Sequence, residues 1–116
     1  MDNYSDGLIA ESKTIALLTE KGFEIIEQRY SSTRGTDAGE IDLIAAKQNL
    51  IIFIEVKKRA TIAAAAESIT EIQKQRVRKN AEAFLARHPK YAAFDCRLDA
   101  ALFNDDFAYE YIENAF

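Results

Sequence analysis

The chain has 116 residues, 48% hydrophobic and 29% charged, with 7 Phe and 5 Tyr against 4 Gly and 1 Pro, which excludes a disordered chain and supplies one compact core. A single cysteine, Cys96, excludes an internal disulfide framework; the longest apolar run, Leu50–Ile54, falls far short of the roughly 20 residues of a bilayer span; and the opening MDNYSDG lacks the basic and apolar regions of a secretory signal. One domain over residues 1–116, cytoplasmic and without a membrane partner, is the expectation. The net charge of −4 conceals a basic middle: residues 1–56 carry a net −5, residues 57–90 a net +6 and residues 91–116 a net −5. A phosphate backbone responds to such local potential, although a solvated helix face explains it equally well.

Asp6 is placed to cap a helix from about Gly7 to Lys21 that ends at Gly22. Its stripe Leu8, Glu11, Ile15, Leu18 contains a carboxylate, which either reaches water from the edge or serves a purpose, since an unpaired buried charge is costly. Strands are expected at Phe23–Tyr30, Gly39–Ala46 and Leu50–Lys58, the last two joined by a hairpin-length turn. Ser31–Ala38 reads as a loop, and the alanine run 63–66 as loop or the approach to a helix. A long helix over about Ser68–Arg87 turns Gln73, Val77, Ala81 and Phe84 to one side and stops before Pro89. Strands at Ala92–Phe103 and Phe107–Glu113, joined by Asn104-Asp105-Asp106, complete an αβββαββ order: an α/β domain with a mixed central sheet flanked by helices.

Strand alternation puts Glu40, Asp42 and Ile44 on one face, with Ile41, Leu43 and Ala45 on the other. In the next strand Ile51, Phe53, Glu55 and Lys57 share a face. Antiparallel pairing through the turn at 47–49 then brings Asp42, Glu55 and Lys57 to one patch. Carboxylates gathered there repel unless a cation joins them, and oxygen donors without His or Cys favour Mg²⁺ or Mn²⁺ over Zn²⁺. A lysine beside such an ion can orient or deprotonate a water for phosphodiester hydrolysis; the bland alternative is an ion pair of Lys57 with Glu55 or Asp42.

GEIDLI followed by FIEVKKR, with the spacing D-x12-E-V-K, resembles the PD-(D/E)XK nuclease motif. The order of KGFEIIEQRY, GEIDLI, FIEVKKR, KQRV, FDC and the terminal IENAF is similar to the YraN family over nearly the whole chain. The resemblance implies a restriction-endonuclease-like fold and a divalent-metal-dependent nuclease, acting on DNA and structure-specific in the manner of a Holliday-junction resolvase. The alternative is a non-catalytic nucleic-acid- or partner-binding module on the same fold. Carried over, it implies Asp42, Glu55 and the Val56 carbonyl as metal ligands, Lys57 as the residue that positions or activates water, and Glu11 and Glu40 as further acids. In the basic third, Lys58, Arg59, Gln73, Lys74 and Arg78 are the candidates for nucleic-acid phosphates. Arg29 stands where relatives of that family tend to have Asn. A homodimer would supply two active sites for a symmetric duplex.

Outside that constellation, Cys96 is expected to be a small buried strand residue and His88 an exposed helix cap. Asp95 either belongs to the family pattern or pairs with Arg97, two positions along its strand. Tyr109 and Tyr111 could stack on bases, though their alternation suits a half-packed strand better.

Overall fold

The computed structural model describes residues 3–32 and 39–116. The loop expected at Ser31–Ala38 therefore lies mostly outside the described residues. Helix α1 (Asn3–Glu20) precedes strands β1 (Glu24–Tyr30), β2 (Ile41–Lys47) and β3 (Leu50–Lys58); helices α2 (Ile62–Glu67) and α3 (Glu71–Arg87) and a 3₁₀ turn (Pro89–Tyr91) lead to β4 (Asp95–Phe103) and β5 (Tyr109–Ile112). Five strands lie in sequential order; β1, β2 and β3 form an antiparallel meander, β4 joins β3 in parallel, and β5 returns antiparallel to β4. The parallel pair needs a crossover, and α2 and α3 provide it. The expected α/β class with a mixed sheet is observed, with one helix more than expected in the alanine run, where Thr61 caps α2 by accepting from the Ala64 N–H.

Ala10 and Leu18 of α1 pack with Leu43, Ala45, Ile52, Ile54, Ala101 and Phe103 on one face of the sheet. Val77, Ala81 and Phe84 of α3 pack with Ile41, Ile44, Ile51 and Phe53 on the other, where α2 adds Ala65 against Ala100 and Leu102. With both faces covered, β3 is buried from Ile51 through Glu55, so Glu55 enters the sheet interior because it occupies a core position.

Several boundaries shift for identifiable reasons. Asp6 is not the cap of α1; the helix begins at Asn3 and the Asp6 carboxylate accepts from Lys58 instead. Gly22, at φ 92°, ends α1 as expected, with Phe23 N donating to Leu18 O and Gly22 N to Thr19 O. The buried stripe of α1 is Ala10, Glu11, Thr14 and Leu18, whereas Leu8 is exposed. The long helix starts at Glu71, after Thr70, whose hydroxyl and main chain form a capping box with Gln73. Cys96, expected to be buried, is exposed at the start of β4, ahead of the stretch that β5 pairs. His88 caps α3 but is half-buried, stacked on Phe84 with ring centroids 4.0 Å apart. No described helix is long and apolar enough to cross a membrane.

The chain terminus is fastened by a buried carboxylate. Asp99 accepts from Arg97 Nε at 2.9 Å, the Tyr111 hydroxyl at 2.6 Å and Asn114 N at 2.9 Å. Arg97 thus pairs two residues along its strand, as its spacing suggests, but with Asp99 rather than Asp95. Removing this acid strands three donors in a dry site. Asp99→Ala is expected to cost about 3 kcal/mol, measured as a shift of the urea unfolding midpoint at unchanged slope.

Candidate metal centre

The β2–β3 ladder runs from Lys47–Leu50 to Leu43–Ile54 and stops there. One step further Asp42 would stand opposite Glu55. Instead the strands part, and the Val56 N–H donates to Asp42 Oδ2 at 2.7 Å, a side-chain oxygen taking the place of a main-chain carbonyl. The alternation expected along β2 fails at the same point: Ile41 packs with Ile44 against α3, whereas Leu43, two residues from Ile41, faces α1. Opposite this break, Arg29 of β1 takes a positive φ of 53°, a conformation unusual outside glycine.

Glu55 lies beside Asp42 and is 5% exposed. Among the described residues, its Oε1 is a buried oxygen with no hydrogen-bond partner. Burial, then the charge of Asp42 and a hydrogen bond shared with it, push the Glu55 carboxyl up to about 9, with the nearby Lys57 ammonium opposing the shift. Glu55, buried beside a second carboxylate, keeps its proton to high pH unless a cation replaces it. Glu11 is also buried; its carboxylate pairs with Arg29 at 3.1 Å. Burial raises its pKa and Arg29 lowers it, with Asp42 and Glu40 adding to the rise. The acid on the α1 stripe therefore faces the site rather than water, with Arg29 as its counter-charge.

Gly39, Glu40, Glu55, Gln73, Arg76 and Val77 line a small cavity of about 70 Å³ between the break and α3. On the other side a larger cleft of about 550 Å³ opens at the end of β3, bounded by Val56, Lys57, Arg59 and Asp105. Asp42, Glu55, Glu11, Glu40 and Lys57 are thus within electrostatic reach of one another or share these walls. Among the described residues no three acidic, His or Cys side chains form one metal-holding group. The donor set is the Asp42–Glu55 pair with the Val56 main chain beside it, and it fits a hard cation that takes one or two carboxylates and keeps its waters.

The candidate phosphate contacts divide. Lys58 sits between Asp6 and Asp105, at 2.9 Å from each, so its charge is neutralised within the fold. Arg59 Nη1 donates to Lys58 O, the Gln73 side chain closes the α3 capping box, and Lys74 lies 3.5 Å from Glu71. Arg78 lies on the outer side of α3 with Arg76, Lys79 and Glu82 along a shallow groove. The arginine that lines the small cavity with Glu55 is Arg76, which the sequence reading passed over.

A carboxylate pair placed where two central strands separate marks this small α/β protein, and comparison of the sequence shows its family. The model of the uncharacterised protein family UPF0102 matches residues 10–103. A UPF0102 protein of Bradyrhizobium diazoefficiens is 43% identical over 99 residues, 85% of this chain and 71% of its own length. Relatives in Paramagnetospirillum magneticum (44% over 96 residues, 83% of this chain and 74% of the relative) and Azorhizobium caulinodans (41% over 113 residues, 97% and 83%) carry the same family name. The chain belongs to the UPF0102 family.

The raised Glu55 pKa has a definite sign. The folded protein holds that proton to a higher pH than the unfolded chain, so stability from this group is complete below about pH 4.5 and is lost as pH rises toward 9. In chelator at pH 8 to 9, Glu55→Gln is expected to be more stable than the parent by about 1 kcal/mol or more, roughly 4 °C in Tm, and the gain should vanish near pH 5. Thermal melts across pH test it; an equal gain at both ends would show that Glu55 carries no perturbed proton.

Proposed function

We propose that this protein is a divalent-metal-dependent nuclease of the PD-(D/E)XK type on a restriction-endonuclease-like fold, hydrolysing phosphodiester bonds in DNA, with branched DNA the first substrate to try. The observation that carries the reading is the pairing of half-buried Asp42 with buried Glu55 at the parting of β2 and β3, with Glu55 Oε1 lacking a hydrogen-bond partner among the described residues. Glu55-Val56-Lys57 follows Asp42 at the spacing of that motif.

In this reading Asp42 and Glu55 hold Mg²⁺ or Mn²⁺, with the Val56 carbonyl as a further ligand. Bound there, such an ion would supply charge stabilisation at the phosphate and make a neighbouring water more acidic. Lys57, whose ammonium is close enough to Glu55 to oppose its rise in pKa, would orient the attacking water through its N–H donors. Glu11, held by Arg29, and Glu40, on the wall of the small cavity, keep the entrance acidic and favour a cation there. Arg76, Arg78 and Lys79 offer phosphate contacts along α3, while Lys58, locked by two carboxylates, fixes the end of β3. Two copies of the chain would serve the two strands of a symmetric substrate.

The deciding experiment is cleavage of linear, branched and single-stranded DNA with Mg²⁺ or Mn²⁺. Asp42→Asn is expected to abolish cleavage, and Lys57→Ala to lower kcat by about 10²- to 10⁴-fold. Equal cleavage by the parent and Asp42→Asn would assign the activity to a contaminant. DNA binding without cleavage by the parent would favour a non-catalytic module. Binding should also weaken steeply with salt, and replacing both Arg78 and Lys79 should make the logarithmic slope shallower by about 2.

A further inference from the structure

Asn80 sits on the apolar face of α3 beside Val77, Ala81 and Phe84, and only 1% of it is exposed. A buried amide is tolerated when its donors and acceptors are used, and the partners of this one are informative. Its Oδ1 accepts from Ser32 N at 3.2 Å and from Ser32 Oγ at 2.6 Å, and its Nδ2 donates to Gly39 O at 3.3 Å. Ser32 follows the end of β1 and Gly39 precedes the start of β2, so one side chain of α3 ties the exit of one strand to the entry of the next. One turn earlier, Arg76 packs over the same glycine, its Cδ 3.6 Å from where a Cβ would stand, and Gly39 holds a positive φ of 72°.

The Gly39 carbonyl lies three residues before Asp42, and between them Ile41 is drawn into the α3 cluster. These attachments pull the start of β2 toward α3 at the point where its ladder with β3 ends. From this we infer that Asn80 is a positioning residue for the metal centre. It holds the entry of β2 away from β3, so that the Asp42 carboxylate, rather than the β2 main chain, receives the Val56 N–H and stands beside Glu55. Asn80 itself touches neither ion nor substrate. The inference rests on reading Asp42 and Glu55 as a divalent-cation site, and its test separates the two.

The probe is Mn²⁺ alone, titrated calorimetrically into the full chain. Asn80→Ala is expected to weaken Mn²⁺ binding by about tenfold or more, in the range found when groups that orient metal ligands are removed. Tyr111→Phe, which loses a hydrogen bond to Asp99 from the edge strand β5, a strand that pairs with neither β2 nor β3, should lower stability and leave the Mn²⁺ Kd unchanged. In the cleavage assay Asn80→Ala should lower kcat with little change in KM for DNA, because Asn80 lies away from the outer face of α3. If Asn80→Ala does not fold, Asn80→Ser, whose hydroxyl is too short to span Ser32 and Gly39, replaces it with the same expectation. A parent-like Mn²⁺ Kd in the folded variant overturns the inference and leaves the metal centre standing. Failure of the parent to bind Mn²⁺ overturns the metal reading and the inference with it.

Discussion

A hydrogen bond that belongs to a β-ladder by position, but not by chemistry, organises this molecule. The Val56 N–H, in the middle of the sheet, is received by the Asp42 carboxylate. A buried main-chain donor must find an acceptor, and a side-chain oxygen can serve only if the neighbouring strand has moved aside. The departure of β2, the change of face between Ile41 and Leu43, and the left-handed Arg29 opposite the break are parts of one deformation. The β1–β2 ladder has a further register shift between Ile25 and Glu27, whereas nine consecutive β3–β4 register pairs hold β3 in place while β2 turns away.

The remaining buried acids show why Glu55 stands apart. Asp99 is satisfied by a guanidinium, a phenol and a main-chain N–H; Asp6 is paired with Lys58; Glu11 with Arg29. Each lies within reach of a cation that the fold itself supplies, which is how buried carboxylates are ordinarily tolerated. Glu55 has another carboxylate as its nearest partner, and Lys57 offsets the resulting repulsion only in part. Such an arrangement costs stability when Glu55 is ionised, and local rules broken without structural compensation are a signature of functional sites.

Much of this was legible in the chain. Alternation placed Ile52 and Ile54 on one face of the sheet and Ile51 and Phe53 on the other, and helical spacing put Val77, Ala81 and Phe84 on one side of α3, because both periods are set by backbone geometry. The convergence of Asp42 and Glu55 followed from the hairpin register alone. The break in β2 was not legible, since alternation assumes a regular strand and the attachments that bend this one come from 41 residues away. Asn80 carried a signal all the same: it falls on the apolar stripe of its helix, where an amide needs a reason. Arg29 likewise shows its role only in three dimensions, as the partner of Glu11. Lys58 and Gln73 read as phosphate contacts because composition reports charge and polarity but not whether the fold has already used them.

Helix α3 joins these threads. Val77, Ala81 and Phe84 bury it against the sheet; Gln73, Arg76 and Asn80 face the small cavity or the entry of β2; Arg78, Lys79 and Glu82 face outward. One rigid element therefore carries both the cations available to a polyanion and the amide that sets where β2 begins. Packed interiors transmit small displacements rather than absorbing them, so a ligand drawn to the outer face of α3 acts on the same body that fixes Gly39. Arg76, which lines both the outer groove and the cavity beside Glu55, is the shortest physical link between the two. The helix that carries the exposed cations is also the one tied to the strand that presents Asp42.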